Sequence, residues 1–143
     1  MPTQTMTANE NRPDPAAVRG VIPHLNLDGR AGEAAEFYAR AFGARDMGRF
    51  PDNENPGRFM HVQLEINGGA LMMTDCRGPG EAAEPQGFSL TLVVADGEAW
   101  WSRALAAGCT VVMPFERQFW GDRWGMLRDP FGLNWGIDEP AAT

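Results

Sequence analysis

The sequence has little positive charge, few cysteines and no long hydrophobic run. Its 12 Lys and Arg residues stand against 19 Asp and Glu residues, which gives a net charge of −7 over 143 residues. An acidic surface repels nucleic-acid phosphates and anionic lipid headgroups, so we expect no nucleic acid and no membrane among the partners. No apolar stretch approaches the roughly 20 residues that span a bilayer, and the first residues lack a basic segment followed by an apolar one. We therefore expect a cytoplasmic protein.

Cysteine chemistry and the common catalytic motifs are also poorly represented. The two cysteines, Cys76 and Cys109, have no metal-site spacing and are too few for a disulfide framework, so we expect reduced thiols. The sequence shows no Ser/His/Asp set, no glycine-rich phosphate loop and no dinucleotide fingerprint. Its motifs therefore indicate neither triad hydrolysis nor nucleotide binding.

What is present is typical of one globular domain between two short tails. Hydrophobic residues make up 43% and charged residues 22% of the chain, which are ordinary globular values. The first residues are polar, contain three prolines and show no hydrophobic period, which predicts a flexible tail. The predicted boundaries are a tail at 1–17, a domain at 18–138 made of a first module (18–77), a linker (78–87) and a second module (88–138), and a tail at 139–143.

Hydrophobic spacing predicts the same order of elements twice: strand, helix, strand, strand, strand. Apolar residues recur at helical spacing at 31–42 and again at 97–107. Residues 59–66 alternate as in a strand, and Asn67-Gly68 predicts a tight antiparallel hairpin into the next strand. When the two halves are aligned, Arg40 meets Arg103, Ala41 meets Ala104 and Leu64 meets Leu127. This agreement indicates an internal duplication.

The segment from Phe119 to Ile137 is the most unusual part of the chain. Phe119, Trp120 and Trp124 stand among glycines and charged residues, which leaves them little local core to pack against and argues against a continuous apolar strand there. Large rings in such a setting contact a ligand or a protein interface. The following Asp129-Pro130-Phe131-Gly132 predicts a tight turn, so we expect a hairpin with an aromatic rim.

A second group of candidate residues lies on the predicted strand at 59–66 and its neighbour. His61 and Gln63 share one strand face, opposite an aliphatic face. If the aliphatic face packs on a helix, the polar face is free to contact a ligand; the alternative is a histidine bonded to a backbone carbonyl. The adjacent Met72 and Met73 must point apart, so one fills the core and the other suits an apolar ligand pocket.

The order of these motifs resembles a known family. The phrases that carry the likeness are Pro-His-Leu at 23–25, Glu-Phe-Tyr at 36–38, Met-His at 60–61, Phe-Trp-Gly-Asp-Arg-Trp-Gly at 119–125 and Asp-Pro-Phe-Gly at 129–132. Together with the duplicated element order, they are similar to the vicinal oxygen chelate superfamily, in particular to the PhnB-like branch of glyoxalase/bleomycin-resistance proteins. The resemblance covers about 18–138 and implies an α+β fold in which two βαβββ modules form a curled mixed sheet with a cup.

The resemblance also implies where a metal would be held. In metal-using members of the superfamily, four His or Glu ligands come from the first and last strands of each module. The positions that correspond here are His24, Phe88 or Ser89, Met73 and Gly136. Only His24 among them suits a divalent ion, and a catalytic metal needs roughly three protein ligands. We therefore predict no cofactor and no metal-binding residue, and a divalent metal is disfavoured.

Three functions remain open at this stage. The first is binding of an apolar or aromatic small molecule without metal, since bleomycin-resistance proteins of the superfamily sequester their ligands. The second is a metal-dependent lyase, isomerase or dioxygenase of the glyoxalase type, and the third is a non-catalytic, dimeric interaction module. We expect a homodimer and assign no catalytic residue. The predicted ligand-binding residues are His24, His61, Gln63, Met73, Phe119, Trp120 and Trp124.

Overall fold

The computed structural model describes residues 20–75 and 87–142. The predicted first tail, nearly all of the predicted linker and Cys76 lie outside these residues. The described part is an α+β fold in which the order strand, helix, strand, strand, strand occurs twice, as predicted. The elements are β1 (His24–Asn26), α1 (Ala31–Phe42), β2 (Arg45–Pro51), β3 (Phe59–Ile66), β4 (Gly69–Thr74), β5 (Leu90–Val93), α2 (Gly97–Ala107), β6 (Thr110–Arg117), β7 (Arg123–Arg128) and β8 (Asn134–Glu139).

The first sheet has the strand order β1-β4-β3-β2, with β1 parallel to β4 and the other pairs antiparallel. Its central hairpin turns at Asn67 and Gly68, which have φ values of 52° and 83°. Two consecutive positive φ values are what a two-residue hairpin turn requires, and asparagine and glycine tolerate them. The turn places Ile66 opposite Gly69 and so fixes the register of β3 against β4.

A buried carboxylate ties the loops of this unit together. Asp75 is 1% exposed and follows β4. Its Oδ1 accepts hydrogen bonds from the N–H groups of Gly29 at 2.7 Å and Ala31 at 3.0 Å, and its Oδ2 accepts one from the N–H of Phe59 at 3.1 Å. The carboxylate thereby satisfies backbone donors at the start of α1, which would otherwise have no partner within the helix.

The second sheet repeats the first, with the order β5-β8-β7-β6, β5 parallel to β8 and the other pairs antiparallel. The identical pattern of strand pairing confirms the predicted internal repeat. The compact unit that contains this sheet also includes Phe37–Gly43, the second half of α1. Its buried side chains include Phe42, Leu127, Trp135 and Ile137.

This unit also has a buried carboxylate, at the predicted Asp129-Pro130-Phe131-Gly132 turn. Asp129 Oδ2 accepts from the Tyr38 hydroxyl at 2.6 Å and from Trp135 Nε1 at 2.8 Å. Its Oδ1 accepts from the N–H groups of Phe131 at 2.8 Å and Leu133 at 3.0 Å. Burial and the neighbouring charge of Asp129 raise the pKa of Tyr38 well above its ordinary value. The turn therefore forms as predicted, around an anchored aspartate.

Strand β6 is longer than the sequence predicts. The sequence predicts a short strand from Thr110 to Met113, and the next residue, Pro114, cannot donate to a sheet ladder. In the structure β6 continues to Arg117, and the pairing with β7 shifts register between Met113 and Glu116. Pro114 thus lies in an irregular part of an edge strand, where a missing N–H breaks no regular pair.

The sequence argued against a continuous strand around Trp124, but the structure places this residue in one. It is the second residue of β7, where it pairs with Asp138 of β8, and so it lies within a regular strand. Glycine at 125 is buried against Phe115 and Trp101, so this strand has a core face despite its few aliphatic residues. Among the described helices, none is long and apolar enough to cross a bilayer.

Candidate functional site

Four predicted or neighbouring side chains share one face of the first sheet. His24 of β1 is opposite Met72 of β4, and Met72 is opposite Gln63 of β3. Directly paired strand residues point to the same side of a sheet, and so do residues two apart on one strand, which adds His61. We call His24, His61, Gln63 and Met72 the histidine face.

The two histidines of the chain lie against each other on this face. The ring centroids of His24 and His61 are 5.7 Å apart with an interplanar angle of 86°, an edge-on contact, and the Phe50 ring is 6.4 Å from His61. Burial, and then the charge of His24, lower the pKa of His61 below its ordinary value of 6.5. This shift favours the neutral imidazole, which can donate one hydrogen bond and accept another.

Gln63 and Met73 are the deeply buried members of the predicted set. Gln63 is 1% exposed at the centre of the histidine face. Met73 is 0% exposed and pairs with Val62 on the other side of the sheet, among the core residues. The structure therefore does not bring Met73 together with the histidines, and Met72 takes that place.

The sequence contains the signal that would have identified Met72. A two-residue hairpin at Asn67-Gly68 forces Ile66 to face Gly69. Counting back along both strands then sets Gln63 against Met72. The pattern of the methionines alone leaves the choice between Met72 and Met73 undecided.

The three predicted aromatic residues form one cluster in the second unit. The Phe119 and Trp120 rings are 4.9 Å apart and edge-on, and the Trp120 and Trp124 rings are 6.4 Å apart. These separations fall in the range of favourable aromatic pairs. Phe119 is 97% exposed and Trp120 is 50% exposed, while Trp124 is half-buried. We call these three residues the aromatic ladder.

Trp124 covers the backbone of Gly136 on the adjacent strand. A Cβ atom added at Gly136 would lie 3.0 Å from Trp124 Nε1 and 3.6 Å from Thr91 Oγ1. Thr91 is the residue paired with Gly136 across β5 and β8, a position that the sequence interpretation had assigned to Phe88 or Ser89. Gly136, the position where a metal-using relative carries its last ligand, therefore lies next to the indole ring of Trp124.

The donor set does not fit a catalytic divalent metal. Within the described ranges, no three side chains of His, Cys, Asp or Glu come close enough to hold an ion. The histidine face offers two imidazoles, a thioether and an amide, and the equivalent row of the second unit offers Thr91 and Gly136. A catalytic site needs about three strong ligands and an open position.

Cys109 is not a nucleophile in this arrangement. The thiol is buried, and burial together with the charge of Asp129 raises its pKa to about 12. The thiolate is the reactive form, so the folded chain keeps this sulfur unreactive near neutral pH.

Comparisons with known proteins agree with this geometry. The family model described as Glyoxalase/Bleomycin resistance protein/Dioxygenase superfamily matches residues 22–137. A Mycobacterium tuberculosis protein, Rv0887c, is 37% identical over an alignment that covers 93% of this chain and 83% of the relative.

Two solved structures illustrate the fold. A PhnB protein from Bacillus cereus, described as a putative 3-demethylubiquinone-9 3-methyltransferase, superposes with a TM-score of 0.67 at 21% identity over 84% of this chain and 98% of that one. TnmS3 from Streptomyces sp. CB03234, an antibiotic binding protein, superposes with a TM-score of 0.64 at 21% identity over 87% of this chain and 98% of that one. At these identities the likeness concerns the fold alone.

Proposed function

Because the chain belongs to the Glyoxalase/Bleomycin resistance protein/Dioxygenase superfamily, we propose that it binds a small molecule with an apolar or aromatic ring and that binding needs no metal ion. The observation that carries this proposal is the aromatic ladder. Trp120 contacts both Phe119 and Trp124, yet Phe119 and Trp120 are at least half exposed. A flat ligand stacked on these rings would remove apolar surface from water, and aromatic contacts of this kind add about 0.5–1.5 kcal/mol beyond the buried area.

One structural neighbour is consistent with a binding role. TnmS3, which shares the fold, is an antibiotic binding protein. One fold hosts many functions, so this likeness indicates a class of ligand only together with the ladder itself. We therefore propose sequestration of a ring-containing small molecule.

The test uses naphthylmethanol, a neutral aromatic probe, titrated into the purified full chain by calorimetry in the presence of a chelator. We expect saturable binding that the chelator does not change. Trp124→Leu should weaken binding about tenfold or more, because the half-buried ring of the ladder is lost. Trp100→Leu is the matched control, since Trp100 lies on α2 under the Arg103 guanidinium, 4.6 Å from the ring centroid, and outside the ladder. Equal affinity in both variants, or no binding to the native chain, would refute the proposal.

A metal-dependent lyase, isomerase or dioxygenase is the competing function. The pair of histidines at 5.7 Å is the observation in its favour. Elemental analysis of protein purified without chelators separates the two functions. We expect well below one metal per chain and no activity on adding nickel, zinc, iron or manganese. A stoichiometric metal that is lost in His24→Ala would favour the enzyme.

A third proposal concerns self-association. Strand β6 is at the edge of its sheet and exposes Val111, Val112 and Met113 at 51%, 47% and 48%. An apolar edge strand offers unpaired backbone groups to another chain. We propose a homodimer and expect light scattering to give twice the mass of the chain. A monomer at all concentrations would remove both the dimer and the interaction-module hypothesis.

A further inference from the structure

The residues paired directly with Trp124 across the strands both carry carboxylates, and these charges bear on which ligand the aromatic ladder takes. We propose that the ligand carries a protonated amine beside its ring, and that the carboxylate of Asp138 accepts a hydrogen bond from this amine. This inference rests on the proposed function and names the chemical class of the ligand.

Strand pairing places carboxylates on both sides of Trp124. In the register of the sheet, Trp124 is paired with Asp138 of β8 on one side and with Glu116 of β6 on the other. Directly paired residues share a face, with Cβ atoms about 4.5–5.5 Å apart. The face of an indole attracts a cation, and a nearby carboxylate adds a charge-assisted hydrogen bond. The two features together favour an ammonium group over a neutral or anionic one.

Asp138 has an acceptor that the described residues leave unused. Its Oδ1 exposes less than 1 Å² and has no hydrogen-bond partner within 20–75 and 87–142, whereas the carboxyl group as a whole has a hydrogen bond with Asp122. Leaving a buried acceptor unpaired is unfavourable, and more so when the group is charged. An ionised carboxylate can only accept, so the missing partner is a donor.

A second carboxylate, that of Asp122, also favours a cation at Asp138. Burial raises the pKa of Asp138, and hydrogen bonding with Asp122 and the charge of Asp122 raise it further. Asp122 Oδ1 is itself engaged with the N–H of Ala141 at 2.9 Å. A positive charge at Asp138 would relieve the repulsion between the two carboxylates.

Among the described residues, the arginines nearest the aromatic ladder have other partners: Arg117 Nη1 donates to the carbonyl of Gly121 at 2.8 Å. The sequence contains no lysine, so no ammonium group of a side chain is available. Arg123 precedes Trp124 and points to the other side of β7, where it pairs with Glu98 at 2.8 Å and lies over the Phe115 ring. Arg128 is four residues further along the strand, about 13 Å away at strand spacing. Its Nη1 donates to Asn134 Oδ1 at 3.4 Å.

The experiment compares three probes that differ only in the group attached to the same ring. Naphthylmethylamine is positive, naphthylmethanol is neutral and naphthoate is negative at pH 7. Calorimetry on the native full chain at low and at physiological salt should show the amine binding about tenfold or more tighter than the alcohol, with the difference shrinking as salt screens it. Naphthoate should bind most weakly.

Two isosteric variants test whether the preference for the amine depends on the charge of Asp138 or on the net charge of the protein. Asp138→Asn removes one negative charge beside Trp124, and Glu98→Gln removes one on the other side of the strand. We expect Asp138→Asn to reduce the preference of amine over alcohol about tenfold and Glu98→Gln to leave it within about twofold. The preference of the native chain tests the inference even if one variant does not fold.

The outcomes distinguish this inference from the proposed function. If the alcohol binds as well as the amine, or naphthoate binds tighter, the ring-binding function stands and the amine inference is overturned. If none of the three probes binds at millimolar concentration, the proposed function itself fails and the inference fails with it. An equal loss of preference in Asp138→Asn and Glu98→Gln would attribute the effect to net charge and contradict the role of Asp138.

Discussion

The two modules have the same strand order but different chemistry on equivalent rows of side chains. In the first sheet the row across β1, β4 and β3 is His24, Met72 and Gln63. In the second sheet, the row across β5, β8 and β7 is Thr91, Gly136 and Met126. One row offers imidazole, thioether and amide, and the other leaves a space that the indole of Trp124 covers.

The opposite faces of the two sheets differ much less. Val62 and Leu64 in the first sheet, and Leu127 and Ile137 in the second, are all 0–1% exposed. The core faces are constrained because packed interiors tolerate little change in volume. The other faces are free to diverge after a duplication, so it is there that function must be sought.

Each module has one buried aspartate, and the two differ in the groups that donate hydrogen bonds to it. Asp129 accepts four hydrogen bonds, two of them from the side chains of Tyr38 and Trp135, whereas Asp75 accepts three from backbone groups. We expect Asp129→Ala to lower the free energy of unfolding by about 4 kcal/mol, because several buried donors lose their partner. Urea denaturation measures this value. Asp75→Ala should cost less, about 3 kcal/mol by the same reasoning, and the reverse order would contradict the account.

Gly125 faces the core side of the second sheet, and Gly136 faces the opposite side, next to Trp124. Alanine substitutions at these two positions compare how tightly the two sides are packed. A Cβ at Gly125 would lie 2.7 Å from the Cα of Phe115 and 2.8 Å from the ring of Trp101. We expect Gly125→Ala to lower the free energy of unfolding by about 2–3 kcal/mol, since backbone must move. Gly136→Ala should cost less than about 1 kcal/mol, because only the Trp124 ring has to shift. Thermal unfolding of both variants checks this, and equal losses would mean that the two faces are equally packed.

The Tyr38 hydroxyl provides a smaller and cleaner perturbation of the Asp129 network. Tyr38→Phe removes one hydrogen bond to a buried carboxylate and keeps the ring in place. Bonds to charged groups contribute about 1.5–3 kcal/mol, so we expect a loss near the lower end of that range by denaturant unfolding. A change below about 0.5 kcal/mol would show that the 2.6 Å contact adds little to stability.

The smallest effect concerns the titration of His61. Because the folded-state pKa lies below 6.5, the unfolded chain binds more protons than the folded chain at mildly acidic pH. The contribution of His61 to stability is therefore complete above 6.5 and falls as the pH drops from there towards the folded-state pKa. Proton NMR should give His61 a pKa below 6.5, and His24→Asn should raise it only part of the way because burial is the larger cause. Full recovery to 6.5 in that variant would assign the shift to His24 instead.

Sequence reasoning succeeded where a local signal fixes the geometry. The bounds of α1 follow from the helical spacing of its apolar residues and from Gly43, which comes directly after it. The β3–β4 hairpin follows from Asn67-Gly68. The duplication was visible because both halves carry the same order of elements. The contact between Phe119, Trp120 and Trp124 was also within reach, since these residues are close in the chain.

Features that depend on pairing between distant strands could not be predicted in the same way. Thr91 depends on the parallel pairing of β5 with β8, whereas the choice of Met72 over Met73 needed only the register of the local β3–β4 hairpin. The extension of β6 past Pro114 depends on an irregular edge that composition does not reveal. Asp138 was not among the predicted residues, because only the structure shows that one of its oxygens is buried and unpaired and that it is paired with Trp124.

The most direct test of the central claim is to follow the five tryptophan indole N–H signals by NMR while naphthylmethanol is added in the presence of a chelator. We expect saturable shifts for Trp120 and Trp124, and little change for Trp101 and Trp135, which are 8% and 3% exposed in the core. Shifts confined to the core indoles, or none in any of the five, would contradict a ligand site at the aromatic ladder.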